Sequence, residues 1–179
     1  YSHAEATATT FQTYTITDTD TTGTYTCTLG GDDAADFTAS ISAKVCTVVW
    51  AAAPNYESPT DDDTDNVYDI TIAFSDGTND LAAQTTAVTV TDTNDQTPAV
   101  SVASTYSQAE ATATTFQTYT ITDSDTTGTY TCTLGGDDAA DFTASISAKV
   151  CTVVWAAAPN YESPADLDTD NVYDITIAF

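Results

Sequence analysis

The residues best suited to chemistry lie in a short acidic stretch near the middle of the chain, Thr91–Pro98. Its oxygen donors are the side chains of Asp92, Asn94 and Asp95 and the backbone carbonyls of Thr93 and Gln96. The stretch follows an alternating run typical of a β-strand, and Pro98, which has no backbone N–H, marks the end of that strand. Ca²⁺ takes six to eight oxygen ligands of these kinds. The stretch therefore favours calcium binding over catalysis, and a solvated acidic turn is the alternative.

The charge balance excludes several classes of partner. The 179 residues include 27 acidic and 2 basic side chains, which gives a net charge of −25. Nucleic acid and anionic membrane surfaces both need basic partners and are therefore excluded. No apolar stretch approaches the ~20 residues that a transmembrane helix needs. Hydrophobic residues make up 41% of the chain, which indicates a folded protein rather than an acidic disordered segment. Divalent cations would relieve the self-repulsion of such a fold.

The chain contains one unit nearly twice. Tyr1–Phe74 recurs as Tyr106–Phe179 at an offset of 105 residues, with four differences. The differing pairs are His3/Gln108, Thr19/Ser124, Thr60/Ala165 and Asp62/Leu167. This long period predicts a tandem array of domains of about 100 residues. The predicted boundaries are 1–98 for a first repeat that lacks its first strand and 99–179 for a second repeat that is cut before its last strand. We expect the chain to continue in both directions, or neighbouring chains to complete its ends.

Within one unit, short alternating runs separated by turn residues predict an all-β fold. The predicted strands are Thr10–Thr17, Thr24–Leu29, Phe37–Ile41, Val45–Trp50, Val67–Phe74 and Leu81–Thr91. The abundant Thr residues favour extended backbone because they are β-branched. No run predicts a helix, since the three alanines after Trp50 lead directly into Pro54. The fold class expected is therefore an all-β array of tandem Greek-key β-sandwiches, of cadherin or immunoglobulin type, joined end to end.

The four cysteines form one pair in each repeat, Cys27 with Cys46 and Cys132 with Cys151. Each pair lies on the inward faces of two predicted strands, so the simplest connectivity is one disulfide within each domain. Zinc is the alternative, but two cysteines and the single His3 of the chain do not make a site. Disulfides form in oxidising compartments, so the cysteines predict an extracellular protein.

Further acidic residues recur in both copies. In order along the chain they form an early Glu, an Asp-x-Asp pair, an Asn-x-Glu triplet and the Asp-x-Asn-Asp-x-x-Pro stretch. This ordered set resembles tandem cadherin repeats of bacterial and archaeal surface proteins. Asp65–Ile72 also resembles the penultimate strand of prokaryotic cadherin-like domains. The resemblance covers the whole chain. It implies seven-stranded sandwiches joined end to end, with up to three Ca²⁺ at each junction.

The resemblance also assigns ligands. At the junction between the repeats it implies Glu5, Asn55, Glu57, Asp92, Thr93, Asn94, Asp95, Gln96, Asp123 and Asp125. An upstream junction would use Asp18, Asp20 and Asp76. A downstream junction would use Glu110, Asn160 and Glu162. The family usually has Asp where this chain has Asn55 and Asn160, so two or three ions are expected rather than always three. Asp61, Asp62 and Asp63 are expected to be solvated loop residues, because Asp62 is replaced by Leu167 in the second copy.

These patterns predict a non-catalytic, calcium-rigidified segment of an extracellular filament or surface stalk. Its expected partners are further copies of the same repeat or chain, and a cell-surface ligand is the second possibility. The alternative function is a module that binds a carbohydrate or protein ligand. An enzyme is disfavoured, because a Ser–His–Asp site cannot be built in both repeats from one His.

Overall fold

Strands form nearly all the regular structure, as the alternating pattern predicts. The computed structural model describes residues 1–6, 10–20, 22–111 and 115–179. The chain divides into two compact units, Tyr1–Asn94 and Asp95–Phe179. Among the described residues the only helical segments are two single 3₁₀ turns, Ala34–Asp36 and Ala139–Asp141. The chain is an all-β protein of tandem β-sandwiches.

The first unit contains two facing sheets. Its strands are β1 (Ser2–Ala4), β2 (Thr10–Thr15), β3 (Thr26–Gly30), β4 (Phe37–Ser42), β5 (Val45–Trp50), β6 (Val67–Ser75) and β7 (Asp80–Thr91). One sheet has the order β1-β7-β6-β3 and the other has the order β2-β5-β4. The sequence pattern did not predict β1, which is three residues long and pairs in parallel with the end of β7.

Alternation along the strands builds the core between these sheets. In β5 the buried side chains are those of Cys46, Val48 and Trp50, and the intervening residues are less buried. In β6, Tyr68, Ile70, Ile72 and Phe74 alternate in the same way. The Trp50 ring lies 4.2 Å from the Phe37 ring and 4.9 Å from the Tyr68 ring, measured between centroids. Trp50 is therefore a core residue.

A register shift changes the expected alternation of β2. The pairing of β2 with β5 shifts between Thr10 and Gln12. Phe11 and Tyr14 have opposite parity in the sequence, yet both pack against the core. An extra residue at a bulge allows this, because it reverses the face on which the following side chains lie.

The disulfides join the two sheets of a unit. Cys27 of β3 is bonded to Cys46 of β5, with their Cα atoms 6.0 Å apart. Cys132 and Cys151 are bonded at the same separation in the second unit. Both predicted pairings are confirmed. A bridge that closes a loop of this length stabilises a fold by roughly 3 kcal/mol in the loop-entropy account.

The second unit repeats part of this plan. Its strands are β8 (Ala99–Val100), β9 (Thr115–Thr122), β10 (Thr133–Gly135), β11 (Phe142–Ser147), β12 (Val150–Trp155) and β13 (Thr176–Ala178). The sheet orders are β11-β12-β9-β8 and β10-β13. Tyr119, Phe142, Cys151, Val153 and Trp155 form the buried core. β8 pairs with the end of β9, and the described part of the first unit has no counterpart of β8.

The helices of the described residues are all far too short to span a bilayer.

Candidate metal centre

Glu5 is held at the end of the first unit by backbone hydrogen bonds. The parallel pairing of β1 with β7 continues into a bond from the Glu5 N–H to the Thr91 carbonyl, at 3.2 Å. Glu5 as a whole is 1% exposed. Its Oε1 accepts a hydrogen bond from the Thr93 N–H at 2.7 Å, and its Oε2 accepts one from the Tyr56 N–H at 2.7 Å. Glu5 therefore ties together the residues after β7 and the loop after β5.

Two further carboxylates meet Glu5. One carboxylate oxygen each from Glu5, Glu57 and Asp92 lie within 4.8 Å of one another. Both carboxylate oxygens of Glu57 and the Oδ1 atom of Asp92 are buried. Like charges this close and this shielded from water repel strongly, unless a cation or protons neutralise them. Carboxylate oxygens are the ligands that Ca²⁺ and Mg²⁺ prefer, so this set fits a hard divalent cation.

Asn55 shapes the loop that carries Glu57. Its Oδ1 accepts hydrogen bonds from the Glu57 N–H at 2.9 Å and the Ser58 N–H at 3.2 Å. Asn66 holds the same loop, because its Nδ2 donates to the Tyr56 carbonyl at 3.0 Å. The structure thus shows Asn55 as a residue that positions Glu57. Asn94, from the predicted set, is exposed.

The second unit contains the other half of the predicted set. Asp125 is fully buried, and its Oδ2 accepts a hydrogen bond from the Gln96 N–H at 2.9 Å. Its Oδ1 is buried and has no hydrogen-bond partner. Asp123 accepts from the Asp125 N–H at 3.1 Å and from the Tyr130 hydroxyl at 2.8 Å. Asp95 is exposed and accepts from the Gln96 side-chain amide at 2.6 Å. Asp125 therefore presents one oxygen with unused acceptor capacity.

The three residues predicted for an upstream junction also lie together. One carboxylate oxygen each from Asp18, Asp20 and Asp76 lie within 4.8 Å of one another. The Tyr25 hydroxyl donates to Asp18 at 2.7 Å, and this bond, followed by that from the Asp20 N–H, lowers the pKa of Asp18. Donors from Asn79 and from the Thr78 N–H lower the pKa of Asp76 to about 2. These bonds favour the charged carboxylates, which is the form that binds a metal ion.

The two basic residues of the chain occupy equivalent positions beside the Asp-x-Asp turns. The Lys44 ammonium donates to the carbonyls of Asp18 and Asp20, each at 3.0 Å. The Lys149 ammonium donates to the carbonyls of Asp123 and Asp125 at 2.7 and 3.0 Å. Each lysine thus fixes the backbone of the turn and leaves the carboxylate oxygens to other partners.

The residues predicted for a downstream junction are more exposed than Glu5 and Asp125. Glu110 accepts a hydrogen bond from the Tyr161 N–H at 2.9 Å, which matches the bond of Glu5 to Tyr56. Asn160 accepts from the Glu162 N–H at 3.0 Å. Within the described ranges, Glu110 and Glu162 do not belong to any cluster of three carboxylates.

The expectation that Asp61 is a solvated loop residue is wrong. Asp61 and its counterpart Asp166 are each only 3% exposed. Asp62, whose replacement by Leu167 motivated that expectation, is exposed, as is Leu167. The informative signal was the spacing of Asp61, Asp63 and Asp65, which both copies keep.

Comparisons with solved protein structures show which known fold the chain resembles. No family model and no curated protein sequence matches the chain. The solved structure of protocadherin gamma B2 extracellular cadherin domains 3–6 matches 99% of this chain and 40% of its own, with a TM-score of 0.63 and 18% identity. Domains 1–5 of protocadherin gamma B2 match 99% of this chain and 33% of theirs, with a TM-score of 0.64 and 17% identity. The cis-dimer structure of protocadherin gammaB7 EC3–6 matches 90% and 38%, with a TM-score of 0.59 and 18% identity.

The chain therefore spans less than half the length of these solved chains. The likeness extends over both units at low sequence identity, so it concerns the fold. The expectation of cadherin-like sandwiches is confirmed at that level, and we conclude that the chain has the tandem β-sandwich fold of extracellular cadherin domains.

Proposed function

We propose that this chain is a calcium-rigidified segment of an extracellular structural or adhesive filament, or of a surface stalk, and that it is not an enzyme. The repeats would act as successive spacers, each bound to the next through Ca²⁺. The prokaryotic surface setting implied by the sequence resemblance is part of the proposal. So is the prediction that further copies of the same repeat or chain are its partners.

The observation that carries the proposal is the buried carboxylate cluster of Glu5, Glu57 and Asp92. The carboxylates of an acidic surface that serves only solubility are expected to lie in water, where their charges are screened. Here Glu5 is 1% exposed and two backbone N–H groups fix its carboxylate. The cluster lies where the chain leaves β7 toward the second unit.

The second unit offers further carboxylates, one of which is hydrogen-bonded to the first residues of that unit. Asp123 and Asp125 lie just after β9, and Asp125 accepts a bond from the Gln96 N–H, two residues into the unit. The buried and unpartnered Oδ1 of Asp125 supports a ligand role for this residue. That both sets share Ca²⁺ remains the sequence prediction, and it forms part of this proposal.

The mechanical consequence follows from electrostatics. Without a divalent ion, the carboxylates at the connection between the units repel one another, and the connecting residues remain free to bend. Bound Ca²⁺ replaces the repulsion by attraction, restricts the connection and stabilises the folded units by mass action. Extracellular modules bind Ca²⁺ with dissociation constants of ~10⁻⁴–10⁻³ M, so such sites would be filled outside cells.

The disulfides support the extracellular part of the proposal. In each pair one cysteine is buried and the other half-buried, and disulfides form and persist in oxidising compartments. The similar solved structures are extracellular domains by description. The net charge of −25 adds support, because a chain with this charge gains from divalent cations outside cells.

Thermal unfolding with different ions tests the proposal. The whole chain would be unfolded in EGTA, in ~10 mM Ca²⁺ and in ~10 mM Mg²⁺, a range set by the expected affinity. We expect Ca²⁺ to raise the melting temperature and Mg²⁺ to raise it much less. Equal melting temperatures in EGTA and Ca²⁺ would overturn the proposal, since a site that binds only the folded state must stabilise it.

A further inference from the structure

We propose a second kind of calcium site, inside each unit, in the loop before the strand that begins at Val67 and in its counterpart before Val172. In the first unit the carboxylates of Asp61, Asp63 and Asp65 form it. In the second unit those of Asp166, Asp168 and Asp170 form it. This site is separate from the Glu5 cluster and does not depend on the proposed function.

The geometry of the loop brings the three carboxylates together. One carboxylate oxygen from each of Asp61, Asp63 and Asp65 lies within 4.8 Å of the other two. The three equivalent residues of the second unit meet the same criterion. The arrangement survives the replacement of Asp62 by Leu167, because residue 62 contributes a backbone N–H rather than its side chain.

The second observation is a buried acceptor without a donor. Asp61 is 3% exposed; its Oδ2 accepts a hydrogen bond from the Asp65 N–H at 2.7 Å, and its Oδ1 is buried with no hydrogen-bond partner. Asp166 is also 3% exposed, accepts from the Asp170 N–H at 2.8 Å through Oδ2, and has a buried, unpartnered Oδ1. A buried carboxylate oxygen without a partner costs free energy, which a bound cation would recover.

The loop is rigidly anchored from the neighbouring turn. Asp33 is 5% exposed, and its carboxylate accepts from the Asp62 N–H at 2.8 Å and from the Asp69 N–H at 2.6 Å. Asp138 makes the same two bonds in the second unit, to residues 167 and 174, at 2.7 and 2.6 Å. The bonds hold both ends of the acidic loop, so the three ligands are positioned before an ion binds.

The spacing of the three aspartates resembles that of the ligands in a known calcium-binding loop. Asp61-x-Asp63-x-Asp65 has the alternating spacing of the acidic ligands in the first half of an EF-hand loop. In such loops a glycine follows and takes a positive φ; here Asn66 and Asn171 follow, each with φ of 65°. Asn adopts this conformation more readily than most residues. The EF-hand's distal Glu has no counterpart, since Ile72 occupies that position and is buried in β6. Water and backbone carbonyls would complete the coordination.

The count of bound ions tests this site. Equilibrium dialysis of the full chain against ~10 mM Ca²⁺, which nearly fills sites with the ~10⁻⁴–10⁻³ M dissociation constants expected of extracellular sites, counts the ions bound per chain. The test variant is Asp63→Asn with Asp168→Asn; both residues are exposed, so the fold should tolerate the change. The control is Asp62→Asn, which removes one charge from the first loop, as Asp63→Asn does, at a position where the second copy has Leu.

We expect the test variant to bind two fewer ions per chain than the unaltered protein, and the control to bind the same number. A test variant that binds the full number, or a control that loses as many ions, overturns the proposal. Far-ultraviolet circular dichroism would verify that each variant is folded.

A further variant distinguishes a failure of the loop sites from a failure of the proposed calcium binding at the Glu5 cluster. In a chain carrying Glu5→Gln and Asp92→Asn, the loop sites remain and should still bind one ion in each unit. If this double variant loses its two loop ions when Asp63→Asn and Asp168→Asn are also introduced, the loop sites are supported even if the Glu5 cluster binds nothing. No change on adding them overturns the loop sites, whatever the Glu5 cluster does.

Discussion

Replacing Glu5 by Gln should remove the share of the calcium-induced stabilisation of the first unit that the Glu5 cluster supplies. The substitution keeps the size of the side chain and removes one of the three charges of the Glu5 cluster. Glu5 is 1% exposed and lies within 4.8 Å of the carboxylates of Glu57 and Asp92, so no other group can take its place as a ligand without moving. We therefore expect the site to lose most of its affinity for Ca²⁺.

The size of the effect follows from mass action. With dissociation constants of ~10⁻⁴–10⁻³ M, ~10 mM Ca²⁺ stabilises the folded state by about 1.4–2.7 kcal/mol per site. For a domain of this size, each kcal/mol shifts the melting temperature by about 4–8 °C. Calcium at one site should therefore raise the transition of the first unit by about 6–22 °C, and the Glu5→Gln variant should lose the share of the calcium-induced shift that belongs to one site.

The assay is differential scanning calorimetry in EGTA and in Ca²⁺. The readout is the shift that Ca²⁺ induces, because the substitution also weakens the hydrogen bonds from the Thr93 and Tyr56 N–H groups in the apo protein. Glu110→Gln is the matched control, since Glu110 is the equivalent residue but is exposed and belongs to no three-carboxylate cluster among the described residues. A Glu5→Gln variant with the full calcium-induced shift would refute the assignment of Glu5 as a ligand.

Three further changes have predictable results. Replacing Cys27 and Cys46 by Ser should lower the free energy of unfolding of the first unit by about 3 kcal/mol, measured by denaturant unfolding; dithiothreitol without effect on the unaltered protein would contradict this. Asp33→Ala leaves two backbone N–H groups without an acceptor and should cost about 2–6 kcal/mol by the same measurement, while Asp33→Asn should cost less. In EGTA, the fold should become less stable as the pH falls from about 4 to 2, because the Asp76 carboxylate becomes protonated. Its pKa in the folded protein is about 2, below the value of ~3.9 in the unfolded chain. The charged carboxylate therefore stabilises the fold above pH ~3.9, and this stabilisation is lost as the pH falls through the folded pKa. Asp76→Asn should flatten that part of a plot of melting temperature against pH, and an unchanged slope would contradict the assignment.

The alternation of apolar residues was enough to predict most of the strands. β5 has the predicted bounds, and β6 and β7 differ from the prediction by one residue at one end. The inward parity of Cys27 and Cys46 predicted a bridge within the domain, because that parity directs both side chains toward the core. These features depend on local pattern, which the sequence displays directly.

Features that depend on pairing between distant segments were not predictable. β1 has three residues, and it is a strand because the end of β7 offers it a parallel partner. The shift between Thr10 and Gln12 is visible only once β2 is paired with β5. Local alternation gives no information about either feature.

The candidate sites were predictable in part. Glu5, Glu57 and Asp92 are far apart in the sequence, and only the resemblance grouped them; the structure brings them within 4.8 Å. Asp61 was misjudged because its neighbour differs between the copies. Burial decides which member of an acidic run is inaccessible to water, and burial depends on the tertiary bonds from Asp33 to the loop.

The most direct test of the central claim is small-angle X-ray scattering of the whole chain, in EGTA and in ~10 mM Ca²⁺. If Ca²⁺ restricts the connection between the units, the ion should lengthen the particle and narrow the distribution of its dimensions, and Mg²⁺ should not. Identical scattering in EGTA and Ca²⁺, at concentrations where dialysis shows bound ions, would contradict a mechanical role for the calcium.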